Sequence, residues 1–416
     1  MRDIHPAAVG DHAKPFASMP RSSRWLVLGV TLSIQVASSV VATGPAVLLP
    51  LVKAEYHLTF AQAGAVVNLS LLGGFFSMAL AGWAVDAVGD RFVLVLGGVV
   101  VGVGAVASAL APTFLVLLAG LMVIGVGIGM GTPAGSVAVR SAFPLRLRGT
   151  VMGLRQTGFP LGSFLAALIL PSVALNEGWR GALGTAGVAS IVVTIAGLGM
   201  YRPAPRASSA GARKVSLLGA LSRDITVAAT SGTFLVAAQM SLLTYLVAYL
   251  IHDRGFSIAS AALYLALAQL AGVAGRVMWG IVSDRFLAGS RRQALLLAGA
   301  TGALGSLALA ALPTGFSFPV IVVAILVCAV GAVGWNGVQI SLLSELARPG
   351  SEGRSIGLGL MIQQPGVVMG PFLFGLIIDT TGSFRPAWFL LTAFLGVAVL
   401  IATATREVSQ LQTIRS

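Results

Sequence analysis

Twelve apolar runs, each of about the length needed to cross a bilayer core as a helix, dominate this 416-residue chain. They fall at about 25–48, 60–84, 92–112, 114–138, 150–173, 179–200, 226–250, 259–282, 292–312, 317–341, 355–378 and 385–404. Short charged or Gly/Pro-bearing breaks separate them. Hydrophobic residues make up 56% of the chain and charged residues only 9%, where a soluble domain carries about 25% charged. Too few polar residues remain to build a water-facing surface. The expected class is an all-α membrane protein with twelve transmembrane helices in two pseudo-symmetric six-helix bundles.

The net charge of +13 suggests a nucleic-acid partner only if its distribution is ignored. Assigning the loops alternately to two sides puts twenty of the 26 Lys and Arg residues on one side. Four (Lys53, Arg180, Arg254 and Arg385) lie on the other, and two, Arg155 and Arg276, lie inside runs. This asymmetry follows the positive-inside rule. It predicts a multi-pass protein of the plasma (inner) membrane with both termini cytoplasmic. The basic face sets topology and touches anionic lipid; no nucleic acid is expected. Cys328 is the single cysteine, so no intramolecular disulfide and no Cys-type zinc site can form, and no metal is expected.

The expected organisation is a cytoplasmic tail over 1–24, one bundle over 25–200, a linker over 201–222, a second bundle over 223–405 and a tail over 406–416. The linker reading rests on Pro203, Pro205, Ser208, Ser209, Gly211, Arg213 and Lys214. The other loops are too short to hide a catalytic domain.

The halves repeat a charged turn. Gly82, Asp86 and Arg91 lie between two apolar runs, and Gly280, Asp284 and Arg285 lie between two more, with Arg291 and Arg292 closing the second turn. Glycine pairs four apart, Gly158/Gly162 and Gly366/Gly370, allow close helix approach in lipid. Pro160, Pro365 and Pro371 mark bending points. A mostly apolar chain duplicated in this way is the plan of a transporter with its site between the halves.

The doubled Gly-x-x-x-Asp turn, the six-plus-six count and the basic central loop resemble the major facilitator superfamily over about residues 25–405. The resemblance implies two bundles rocking about a central site, with Gly82, Asp86, Arg91, Gly280, Asp284 and Arg285 at the cytoplasmic gates. The carboxylates there are expected to cap a neighbouring helix N-terminus or to pair with Arg91 or Arg285. Asp90 stands where the first copy usually has a basic residue, and the second copy has a longer spacing before Arg291.

All thirteen acidic residues and all four histidines fall in loops, tails or span ends. Proton-coupled drug exporters of this superfamily usually carry a titratable group inside the bundle, and none stands out here. Arg155 and Arg276 do lie deep, roughly 10–12 Å in from Arg148 and Asp284. A buried arginine costs at least about 2.5–3.5 kcal/mol, and an isolated cation must be matched by an anion, dipoles or water. The simplest match is an anionic substrate held by the guanidinium forks. The plainer readings are that Arg155 snorkels or bonds helix carbonyls, and that Arg276 braces Asp284 through water.

The spacing Arg276, Gly280, Asp284 also resembles the oxalate/formate antiporter and monocarboxylate transporter branches, in which the arginine of that spacing binds the substrate carboxylate. The first run lacks the acidic signature of the monocarboxylate branch, and the eleventh carries Gln363 and Gln364 in place of a second cation. Gln269, Gln156, Gln35, Asn336 and Gln363 are candidate substrate-lining residues. Intramembrane amides also join helices.

The expected function is a secondary transporter of a small organic anion, with a carboxylate as the expected group, working by alternating access. The anion can move with a co-transported proton, exchange for a counter-anion, or run down its own gradient. The alternative is a proton-coupled exporter of drugs or other small metabolites. An intramembrane enzyme would need a nucleophile and base deep in the bundle, and the sequence offers none. No Walker-type phosphate loop appears, so ATP and other cofactors are not expected. The protein is expected to act as a monomer.

Overall fold

The computed structural model describes residues 20–58, 60–200, 218–313 and 318–407. Most of the expected N-terminal tail, linker and C-terminal tail lies outside the described residues. Among those described there is no β-strand. In lipid no water is available to bond exposed amides, so each crossing segment satisfies its backbone internally as a helix.

The first half contains α1 (Arg21–Val47), α2 (Leu49–Tyr56), α3 (Phe60–Val88), α4 (Asp90–Ala109), α5 (Phe114–Ala142), α6 (Arg148–Gln156) and α7 (Gly158–Met200). The second contains α8 (Arg223–His252), α9 (Ile258–Ile281), α10 (Arg291–Ala311), α11 (Phe318–Ala332), α12 (Asn336–Glu345), α13 (Glu352–Thr381) and α14 (Phe384–Thr403). Helix α7 turns back on itself at Gly178, whose φ of +68° suits a residue without a Cβ. Among the described residues, ten helical stretches are long and apolar enough to cross a membrane, and Leu72–Val88 is a shorter apolar one. Side-chain caps start several of them: Ser222, Ser257 and Ser290 accept the amides of Ile225, Ser260 and Gln293.

Two expected runs are broken. The run at 150–173 divides between α6 and α7, and that at 317–341 divides between α11 and α12. The second turn holds a π-helical segment, Val282–Phe286, where the first has none. That extra winding and the bend after it account for the longer spacing before Arg291.

Within the first half, α1 lies on α7, and α3 and α4 on α5; within the second, α8 lies on α13 and α14, and α10 on α11 and α14. The two GxxxG pairs serve equivalent seams. A Cβ on Gly158 or Gly162 would press on α1 at Gln35 or at Val36 and Ser39. One on Gly366 or Gly370 would press on α8 at Thr233 or Ala237. The halves meet mainly where α3 packs on α13 and α6 on α9 and α12, with smaller contacts of α5 on α12 and α13. Large apolar side chains such as Phe76, Leu168, Leu304 and Leu400 remain exposed, as a lipid-solvated surface permits.

Candidate functional site

At one end of the molecule the repeated turns close two crossings. Asp86, near the end of α3, accepts the amides of Gly353 (2.7 Å) and Arg354 (3.0 Å) at the start of α13. Asp284 accepts the amides of Gly149 (3.2 Å) and Thr150 (2.7 Å) at the start of α6, and the Thr150 hydroxyl as well. Each carboxylate therefore caps a helix N-terminus of the opposite half, where the unpaired amides and helix dipole favour negative charge. Glycine makes the approach possible. A Cβ on Gly82 would collide with the Gly353 backbone, and one on Gly280 with the Gly149 backbone.

The capping expectation is met, but the expected pairing with Arg91 or Arg285 is not. Asp86 pairs with Arg354 at 3.5 Å, and Asp284 pairs with Arg291. Arg91 instead donates to the Leu198 carbonyl at 2.9 Å. In the second half Arg292 makes the equivalent bond to Thr405 at 3.1 Å. Arg285 is exposed. Arg354 comes from the opposite half, beside the amides that Asp86 caps, whereas Arg291 opens the next helix of the same half.

Arg291 is fully buried. It also reaches Glu345 (3.1 Å), Ser283 (2.9 Å) and, across the halves, the Leu145 carbonyl (2.9 Å). Arg140 and Glu352 add another cross-half pair at 2.7 Å. Glu407, beyond α14, accepts from Ser290 and from the amides of Arg291 and Arg292, capping α10. A cleft of about 890 Å³ at this end is lined by Arg140, Arg148, Arg292, Arg348 and Arg406, with Glu345 and Glu407 among its acids.

At the opposite end Arg180 anchors the first half. It donates to Glu55, the Tyr56 hydroxyl and the carbonyls of Ala109 and Ala111. Partial burial alone would raise the Glu55 carboxyl; hydrogen bonds from Arg180 and Trp179 and the charge of Arg180 hold it below its ordinary value. In the second half Arg254 binds the carbonyls of Leu312 and Pro313, and the Tyr249 hydroxyl.

Between these ends sit the two deep arginines, 1% exposed at Arg155 and 5% at Arg276. Arg155 donates to Ser136 Oγ (3.1 Å), Gln156 Oε1 (2.9 Å) and the Gly131 carbonyl (3.2 Å), all within its own half. Its Nε has no hydrogen-bond partner. It therefore does not snorkel; it bonds α5 and its own neighbour. Arg276 donates through Nε to the Val333 carbonyl (3.3 Å) and through Nη1 to the Gln156 carbonyl (2.5 Å). Asp284 is occupied elsewhere, so Arg276 does not brace it directly.

Gln156 thus joins the two arginines, by its side chain to Arg155 and by its main chain to Arg276. Asn336 is brought to the same place, since its Nδ2 donates to Val333 O (3.2 Å) and to Gln239 Oε1 (3.0 Å). Gln35 packs against Gly158 with its Oε1 unpartnered. Gln363 lies apart, against Gly232 and near Gln339, with Nε2 unpartnered. Gln269 is exposed on α9. The aromatic residues are packing elements: Trp279 and Trp335 donate to Val330 and Ala332 carbonyls, and Tyr249 packs against Phe384 and Trp388. Sequence reasoning missed Gly149, Thr150 and Gly353 as the gate acids' partners, and Ser136 and Val333 as acceptors. A glycine at each of two helix starts, 149 and 353, was the available signal.

The molecule is thus two sets of apolar helices that meet through glycine backbones and carboxylate caps. The chain belongs to the Major Facilitator Superfamily, whose pattern matches residues 31–371. It is a multi-pass integral membrane protein and a secondary transporter. It is 30% identical over 375 residues to an uncharacterised MFS-type transporter of Mycobacterium tuberculosis, covering 89% of this chain and 83% of that one. It is 26% identical over 408 residues to a probable sulfoacetate transporter of Cupriavidus necator, covering 91% and 93%. It is 28% identical over 324 residues to monocarboxylate transporter 11 of Mus musculus, covering 74% and 70%. The fold matches that of the proton:xylose symporter XylE bound to 6-bromo-6-deoxy-D-glucose, with a TM-score of 0.77 and 15% identity, over 95% of this chain and 99% of that one.

Proposed function

We propose that the protein carries a small organic anion, bearing a carboxylate, across the plasma (inner) membrane by alternating access. The observation that carries this reading is electrostatic. Two guanidiniums are buried mid-span, and their hydrogen bonds go to neutral acceptors only. Carbonyl dipoles reduce the cost of burying such charge, whereas an incoming anion would neutralise it. Arg276 is the proposed anion ligand. Arg155 holds Gln156 and adds positive potential, and Gln35, Asn336, Gln363 and Gln269 are proposed polar contacts. Sulfoacetate and monocarboxylates, named for two relatives, belong to the same chemical class.

Counting Leu145–Met200 as two passes and Leu72–Val88 as one gives the proposed twelve helices, six in each of two bundles either side of the 201–222 linker. The positive-inside asymmetry supports a cytoplasmic basic end. On this reading Gly82, Asp86, Gly280 and Asp284 form its gates, and the described structure is closed to the cytoplasm. Absence of a deep carboxylate or histidine favours anion exchange, or co-transport in which the substrate brings the proton.

Thermal melting of purified protein against acetate, oxalate, glycolate and sulfoacetate, with cationic drugs as controls, tests the reading. Ligands that bind the folded state raise Tm by mass action. At least one anion is expected to raise Tm of the wild type and to lose that effect in Arg276→Gln. Equal stabilisation of both proteins by cationic drugs, with no anion response, would overturn it.

A further inference from the structure

One hydrogen bond ties Arg276 to the opposite half, and a proline makes its acceptor available. In an unbroken helix the Gln156 carbonyl would accept the amide of residue 160. Residue 160 is proline and has no N–H. The chain breaks there: the Thr157 amide and hydroxyl both turn back to the Leu154 carbonyl, at 3.1 and 2.7 Å. The Gln156 oxygen is left for Arg276 Nη1. The same guanidinium holds Val333 O at the break between α11 and α12. Beside it Gly153 packs directly on the Arg276 backbone, and a Cβ there would collide. One charged group thus bridges two broken helices, one from each half, next to the closed α6–α9 crossing.

We infer that substrate anion and the Gln156 carbonyl compete for Arg276, so that loading the site releases the bond holding α6 to α9. Pro160 is then a positioning residue, acting through Gln156 and Arg276. This inference rests on the proposed anion reading. The exchange is favourable because a carboxylate neutralises the buried guanidinium and can accept two parallel N–H bonds from it, whereas the Gln156 carbonyl offers only a neutral acceptor. It is also local, needing no movement of Asp284 or Arg291 to begin. In the empty carrier the Arg276 bond to the Gln156 carbonyl adds to the caps and ion pairs that close the basic end. A loaded carrier has lost one fastening and shifts toward the state open at that end.

The test is a distance measurement between spin labels at the basic end. Arg146→Cys and Phe286→Cys place one label on each half, in a Cys328→Ser background. The probe is whichever of acetate, oxalate, glycolate or sulfoacetate raises the wild-type Tm. In the wild type, the probe is expected to enlarge the long-distance population. Pro160→Ala supplies the missing N–H and is expected to enlarge that population without probe, on the order of 2- to 10-fold for one hydrogen bond. Adding probe to the variant should then change little. Pro160→Val also restores the N–H with a different side chain, and the same shift in both variants separates the backbone effect from packing. The inference fails if the probe leaves the wild-type distances unchanged or shortens them, whether or not the variants fold. It also fails if both Pro160 variants keep the wild-type distribution and response. In either case an Arg276-dependent Tm shift would leave the anion reading standing. If no anion raises Tm, both readings fall together.

Discussion

At the scale of the residue, buried arginines are answered in two ways. Arg291 is met by carboxylates, Asp284 and Glu345. Arg155 and Arg276 are met by carbonyls, an amide oxygen and a hydroxyl. The first pattern fastens, and the second leaves charge to spare. Removing one partner of a buried ion pair typically costs about 3–5 kcal/mol, because the other charge is left in low dielectric. Asp284→Asn is therefore expected to lower stability more than Asp86→Asn. Arg354, the partner of Asp86, is 13% exposed, whereas Arg291 is 0% exposed. Thermal melts of the two variants in one detergent check the order, and equal losses would contradict it. The deep arginines were legible in sequence because a charge inside an apolar run is conspicuous. The partners of Asp86 and Asp284 were not. They are backbone amides more than a hundred residues away, and capping leaves no spacing signal along the chain.

At the scale of the element, the crossings depend on the absence of side chains. Gly82 lies against Gly353, and Gly280 against Gly149. Backbone collides with any added Cβ there and cannot swing aside as a side chain can. Gly280→Val is expected to disfavour the state closed at the basic end. Labelling of a cysteine introduced at Met152, buried beside that crossing, should accelerate by at least about 5-fold; a rate equal to that of the same cysteine in the Gly280 parent would refute this. The apolar runs predicted where helices lie, but hydropathy cannot see a break, since both sides of one are equally greasy. Pro160 was legible as a bending point. Its consequence, an orphaned carbonyl facing Arg276, needed the neighbouring half. The π-helical segment after α9 likewise showed in sequence only as an irregular spacing.

At the scale of the whole molecule, the duplicated plan was readable from the recurring turn, and the basic loops predict the sidedness. Topology is testable directly in the Cys328→Ser background. Lys53→Cys is expected to react with a membrane-impermeant maleimide in intact cells, and Arg348→Cys only after permeabilisation. The reverse pattern would invert the proposed orientation. The two copies differ in one respect with consequences for motion. Around α6 and α9, Asp284 binds two amides, a hydroxyl and Arg291, which itself holds Glu345 and the Leu145 carbonyl. Around α3 and α13, Asp86 binds two amides and the more exposed Arg354, with Arg140 and Glu352 alongside. The seams are related by duplication but are stitched with unequal thread. Opening at this end is then a hinge movement rather than a symmetric parting. Once substrate has taken Arg276 from the Gln156 carbonyl, the α3–α13 side is expected to part more widely than the α6–α9 side, where Asp284 and Arg291 still hold.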